Sequence, residues 1–153
     1  DMNATAAQLW DINAYYNPTT KVHAFCADAG CVSTFKGRGH SGEPVLVGRS
    51  IPDSMIAAVR AACPSGSADL RLLTSTYIGG AYMLQVKENP VMFQSLRQGY
   101  VAISEGACGA KKAMKQWKSK NSNDYMYGVD LESDPIYAGY ALYEGDVPFW
   151  MWD

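Results

Sequence analysis

A chain of 153 residues, 48% hydrophobic and 18% charged, has the size and composition of one globular domain, which excludes intrinsic disorder. No apolar run reaches the ~18 residues of a membrane-crossing helix, so none is expected. The net charge of -2 conceals a segregation: residues 1–110 hold eight bases and eight acids, residues 111–120 five lysines and no acid, and residues 121–153 seven acids and no base. A chain balanced in this way has no electrostatic footprint for nucleic acid, which is not expected as a partner.

The four cysteines, Cys26, Cys31, Cys63 and Cys108, are even in number and include no C-x-x-C pair. They read as two disulfides rather than a metal site, and disulfides place the chain in the periplasm or among secreted proteins. The start at Asp1-Met2-Asn3 reads as a trimmed or recombinant one, from which an export signal could have been removed.

In chain order, Leu9, Ile12 and Tyr16 predict a first helix over residues 4–16, stopped by Asn17-Pro18. Lys21 to Cys26 alternates like a strand. A turn at Ala27-Asp28-Ala29-Gly30 and a return over Cys31 to Phe35 would complete a β-hairpin that sets Cys26 beside Cys31. Gly37 to Gly42 reads as a loop, and Pro44 to Val47 as a short strand. Three helices are expected next. Asp53 caps the first, which carries Met55, Ile56, Val59 and Ala62 and ends at Pro64-Ser65-Gly66. Ser67 caps the second, with Leu70, Leu73, Tyr77, Gly80 and Leu84 in 3,4 spacing. Asn89-Pro90 starts the third, with Phe93, Leu96, Tyr100 and Ile103 on one side and Gly106 as its stop. An up-down-up order puts Cys63 and Cys108 at one end of the bundle and pairs them, leaving Cys26 for Cys31. Ala110 to Lys118 reads as a basic helix and residues 119–129 as a polar break. Asp134-Pro135 starts a last helix holding Ile136, Tyr140 and Tyr143, for which a strand is the alternative. The expected fold is therefore α+β, mainly α: one domain over residues 1–153, a helical bundle with a small N-terminal β-hairpin region.

The run from Cys63 through Tyr77-Ile78-Gly79-Gly80 to Cys108, under a third of the chain, resembles small helical periplasmic proteins in which one disulfide joins helix ends. Immunity proteins against secreted cell-wall enzymes and acid-stress chaperones include such forms. The resemblance implies a helical, disulfide-closed fold and assigns no site residue.

Four groups of residues invite chemistry. Arg38, His40, Ser41 and Glu43 set a cation, an imidazole, a hydroxyl and a carboxylate in a glycine-rich loop suited to polar contact with a partner; the loop lacks the G-x-S-x-G elbow of a serine hydrolase. His23 reads as a structural or surface histidine, and two histidines exclude a multi-histidine metal site. Asp124, Asp130, Glu132 and Asp134 read as a solvated acidic segment; they lack the EF-hand order, and only their separation in space decides whether two of them form a glycosidase pair. Lys111, Lys112, Lys115, Lys118 and Lys120 read as a solvated or internally paired face. At the C-terminus, Asp146, Phe149, Trp150, Met151 and Trp152 are either core or a displayed interface of the kind that aromatic hot spots form. The function expected is that of an exported binding protein acting by protein–protein interaction, such as an inhibitor, immunity or adaptor protein of the periplasm. Its partner would be a secreted enzyme or toxin. Its contacts would be Arg38, His40, Glu43, Asp146, Phe149, Trp150 and Trp152, with no cofactor or metal. The alternative is a small extracytoplasmic hydrolase acting on cell-wall or polysaccharide material, with His40 and one late acid as its chemistry.

Overall fold

A computed structural model describes residues 9–86, 95–144 and 148–153. Strands dominate it. β1 (Trp10–Asn17), β2 (Val22–Cys26) and β3 (Val45–Ser50) form an antiparallel sheet in the order β2-β1-β3. β4 (Leu70–Ile78), β5 (Ala81–Val86), β6 (Ser95–Ala102), β7 (Lys112–Ser119), β8 (Tyr125–Gly128), β9 (Tyr140–Tyr143) and β10 (Phe149–Met151) form a second sheet. Its order is β5-β4-β6-β10-β7-β8, with β9 also on β7. Among the described residues two α-helices accompany the sheets, α1 (Ala29–Gly37) and α2 (Ile56–Ala62).

The mainly helical expectation is overturned, and β4 shows why. Leu72 to Thr76 are buried without interruption: β4 is an inner strand between β5 and β6, and its residues enter two different cores. A strand covered on both faces loses its apolar–polar alternation. The 3,4 spacing of Leu70, Leu73 and Tyr77 then imitates a helical stripe. In a strand, Leu70 and Leu73 point to opposite faces, and each enters a different core. Leu73 joins Ile12, Phe25, Val47, Leu84 and Met151 between the two sheets. Leu70 joins Ile51, Val59, Cys63, Cys108 and Trp152 on the α2 side.

Gly79 and Gly80, read as helix interior, are the two-residue turn between β4 and β5. Both have positive φ, +62° and +87°, the conformation that fits the twist of a tight hairpin. The other expected helices are corrected likewise. Residues 10–16 lie in β1, and residues 4–8 fall outside the described residues. The third helix is β6, with Asn89, Pro90 and Phe93 outside the described residues. The basic helix is β7, the polar break contains β8, and the last helix is a 3-10 turn at Pro135–Tyr137 followed by β9. The expected return strand from Cys31 to Phe35 is instead α1, whose first turn is capped by Asp28 Oδ1 accepting from the Cys31 N–H at 2.8 Å. The helix expected after Asp53 is present as α2, but Asp53 binds Arg97 rather than capping it. With the bundle falls the helical fold that the resemblance to small periplasmic proteins implied.

Both disulfides pair as expected, Cys26–Cys31 and Cys63–Cys108, on a different scaffold. The first ties the end of β2 to α1. The second ties the end of α2 to a 3-10 turn at Ala107–Gly109. They are consistent with an oxidising compartment. No helix among the described residues is long and apolar enough to cross a membrane.

The two sheets are also joined along their backbones. Ile51 exchanges hydrogen bonds with Tyr100 at 2.9 and 2.8 Å, and Arg49 with Trp152 at 2.9 and 3.1 Å. Side chains take up strand groups that have no partner strand: Gln98 Nε2 donates to the Phe25 carbonyl at 3.2 Å, and the Leu84 N–H donates to the Tyr127 hydroxyl at 2.9 Å.

Candidate functional site: an aromatic cleft

The β4–β5 hairpin turns back between two tyrosines and sets Tyr77 opposite Tyr82, ring centroids 4.9 Å apart. The Cys26–Cys31 bridge holds α1 against the same end of the fold, where Phe35 meets Tyr82 edge to face at 5.0 Å. Between α1 and this end of β4, β5 and β6 opens a cleft of about 950 Å³. Trp10, Phe35, Tyr77, Tyr82 and Leu96 supply its apolar lining, and Gln98 lies in it as a buried polar group. Arg38, Arg97, Asp28 and Asp53 also line it. Tyr77 and Leu96 remain 44% and 43% exposed there, whereas Phe35 in the same lining is buried. A concave site of this size, mostly apolar with a few polar groups, has the makeup of a binding site.

Of the expected contact residues, the structure brings Arg38 to the cleft and His40 behind its wall. Arg38 is exposed, with its guanidinium 5.5 Å from the centroid of the Phe35 ring. His40 is buried, packed edge to face on Phe35 at 5.1 Å and on Tyr82 at 6.0 Å, and neither ring nitrogen makes a hydrogen bond. Burial lowers its pKa, Arg38 and His23 pull the same way, and the Phe35 carbonyl and Asp124 oppose them. His40 thus supports the cleft wall and is not a reachable base. Burial likewise raises the pKa of Tyr82, against the pull of the neighbouring Arg38. Glu43 is exposed and stands outside the cleft lining. Asp146 lies outside the described residues. Phe149 and Trp152 are buried and Trp150 is half-buried. Trp152 Nε1 donates to the Cys108 carbonyl at 3.0 Å, so the aromatic C-terminus is core rather than a displayed interface.

The late acids do not gather. Asp130 and Glu132 are exposed, and Asp134 accepts from the Ile136 N–H at 3.0 Å to cap the 3-10 turn. Asp124 alone is fully buried, and it builds a second arrangement. Its Oδ1 accepts the His23 backbone N–H at 2.7 Å, its Oδ2 meets His23 Nδ1 at 2.6 Å, and the Tyr140 hydroxyl donates to the same Oδ2. Burial and that carboxylate raise the pKa of Tyr140, which stays protonated. A carboxylate on Nδ1 fixes the tautomer of a neutral imidazole and leaves Nε2 as an acceptor. Lys118, expected on a solvated face, sits over the rings of Tyr125 and Tyr143 at 5.6 and 6.0 Å. Among the described residues no three His, Cys, Asp or Glu side chains come close enough to hold a metal ion.

Trp10, Tyr82 and Gln98 escaped the sequence reading, as did the pairing of His23 with Asp124, 101 residues away. One signal was present: Gly79-Gly80 flanked at equal distance by Tyr77 and Tyr82 is a hairpin turn that sets two aromatic rings side by side. Comparison with protein-family profiles, with curated proteins and with solved structures yields no match for this chain.

Proposed function

We propose that the protein is an exported binding protein of the periplasm or the extracellular space, acting by protein–protein contact as an inhibitor, immunity or adaptor protein does, and that the contact is made at the aromatic cleft. The observation that carries this reading is the cleft of about 950 Å³ in which Tyr77 and Leu96 stay 44% and 43% exposed. Solvated aromatic and aliphatic side chains at a concave site are what a partner's anchor residue covers. The two disulfides support the compartment. The test compares the oxidised wild-type chain with Tyr77→Ser as bait for extracytoplasmic fractions. A stoichiometric protein held by the wild type and lost by Tyr77→Ser, at equal thermal stability, supports the reading. A protein held equally by both moves the contact elsewhere.

The hydrolase reading, on cell-wall or polysaccharide material, moves from His40 to His23, which is also buried at 6% exposure; what favours it there is the orienting hydrogen bond between His23 Nδ1 and Asp124, which His40 lacks. Under this reading His23→Gln, which also removes a buried partner of Asp124 and so lowers the unfolding midpoint, abolishes a polysaccharide-degrading activity under conditions where circular dichroism shows the variant still folded. An activity that survives the substitution removes it.

A further inference from the structure

The polar groups of the cleft are unequally committed. Gln98 is 1% exposed; its Nε2 donates to the Phe25 carbonyl, and its Oε1 has no hydrogen-bond partner among the described residues. An amide oxygen held out of water without a donor costs roughly 1–3 kcal/mol, a cost that an occupant carrying an N–H or O–H removes. Among the charged groups, Arg97 is held by Asp53 through bonds of 2.8 and 3.2 Å. Asp28 is engaged in capping α1. Arg38 has no carboxylate partner among the described residues, and its guanidinium is poised over Phe35. What remains for a ligand is one cation that has no carboxylate partner and rests near Phe35 and the Tyr82 hydroxyl, one buried acceptor, and the apolar surface of Tyr77, Tyr82 and Leu96.

Resting on the reading of the cleft as the contact site, we propose that its occupant is a protruding loop of a partner protein that carries an apolar or aromatic anchor residue with an acidic residue beside it. The anchor lies against Tyr77, Tyr82 and Leu96. An N–H of the loop reaches Gln98 Oε1, and the carboxylate makes a charge-assisted, two-pronged bond with Arg38. The volume of about 950 Å³ admits several residues rather than one side chain. A neutral oligosaccharide would satisfy the rings and Gln98 but would leave Arg38 without its counter-charge, so charge complementarity favours the acidic loop.

The test selects an unbiased phage-displayed library of disulfide-cyclised random peptides on the oxidised full chain, and in parallel screens an array of neutral oligosaccharides. The expected result is a peptide consensus with an acid next to an aromatic or aliphatic residue. Affinity for a consensus peptide falls roughly tenfold or more in Arg38→Glu, and replacing the peptide's acid by lysine restores it in that variant. It falls also in Tyr77→Ser. Both positions are exposed, and matched unfolding midpoints show that the variants fold. Peptides that lack the acid, or that bind Arg38→Glu as well as wild type, overturn the acidic loop; if Tyr77→Ser still weakens them, the cleft stands. Neutral oligosaccharides whose binding Tyr77→Ser abolishes overturn a protein occupant and also keep the cleft. No binder sensitive to Tyr77→Ser overturns both the occupant and the cleft.

Discussion

His40 sits between Phe35 and Tyr82 with both ring nitrogens unbonded, and burial holds its pKa below the ordinary 6.5. The unfolded chain takes up a proton at this residue as pH falls through that value, while the folded chain leaves it neutral. The unfolded state then binds more protons, so stability is lost on acidification. The charges of Arg38 and His23 strengthen the effect; Asp124 and the Phe35 carbonyl weaken it. Urea unfolding at pH 7 and pH 5 is expected to show a smaller fall in stability for His40→Phe than for wild type; equal falls would show that His40 does not contribute. Asp124 is the second residue on which much depends, since it satisfies three donors. Asp124→Ala leaves the His23 N–H, the imidazole and the Tyr140 hydroxyl without their acceptor, and is expected to cost on the order of 3–5 kcal/mol. Asp124→Asn, which keeps one amide oxygen as acceptor, is expected to cost less by the same urea titration.

At the scale of elements, two glycines separate backbone strain from steric conflict. Gly80 has φ +87° and open space around it, the nearest atom to an added Cβ being Asn123 Nδ2 at 3.7 Å. Gly80→Ala therefore meets only the conformational penalty of the hairpin turn, about 1 kcal/mol. Gly99 has φ +83° and lies where β6 crosses the end of β3; a Cβ there would stand 2.5 Å from the Ile51 carbonyl oxygen and 2.7 Å from Ser50 Oγ. Gly99→Ala is expected to cost about 3 kcal/mol or more, because the backbone pairing of Ile51 with Tyr100 must open. Denaturant midpoints of the two variants rank them, and a Gly99→Ala chain as stable as Gly80→Ala would refute the close approach. The short apolar alternation of β2 and the run into β3 were legible because each is brief and bounded by turn residues. β4 was not, because its two faces enter different cores and the period of two is lost, and in β6 and β7 burial does not alternate regularly either.

For the whole molecule, the two disulfides close loops of very different length. Cys63–Cys108 spans 45 residues and Cys26–Cys31 spans 5. Loss of chain entropy in the unfolded state assigns about 4 kcal/mol to the first and about 2 kcal/mol to the second. The double variant Cys63→Ala/Cys108→Ala is thus expected to unfold at lower urea than Cys26→Ala/Cys31→Ala. The functional consequences run the other way. Cys31 lines the cleft and its bridge seats α1, so removing the short disulfide is expected to weaken binding of a cleft-selected peptide, whereas removing the long one leaves it intact where the chain is folded. The reverse ranking in a binding titration would detach α1 from the site.

By itself the amino-acid sequence determined the globular character of the chain, the even cysteine count with its oxidising compartment, the strand after Lys21, and the helix following Asp53. These are local or compositional properties, set by residues close together in the chain. The pairing of the cysteines was also correct, although the bundle from which it followed does not exist. Tertiary structure alone decided the rest. It turned the 3,4-spaced apolar residues of β4 into a strand whose two faces enter different cores, and it drew Phe149 and Trp152 into the core. It joined His23 to Asp124 and assembled a cleft from β1, α1, β4, β5 and β6. Each of these depends on contacts between distant segments, and strand pairing across such distances leaves no periodic trace in a single chain.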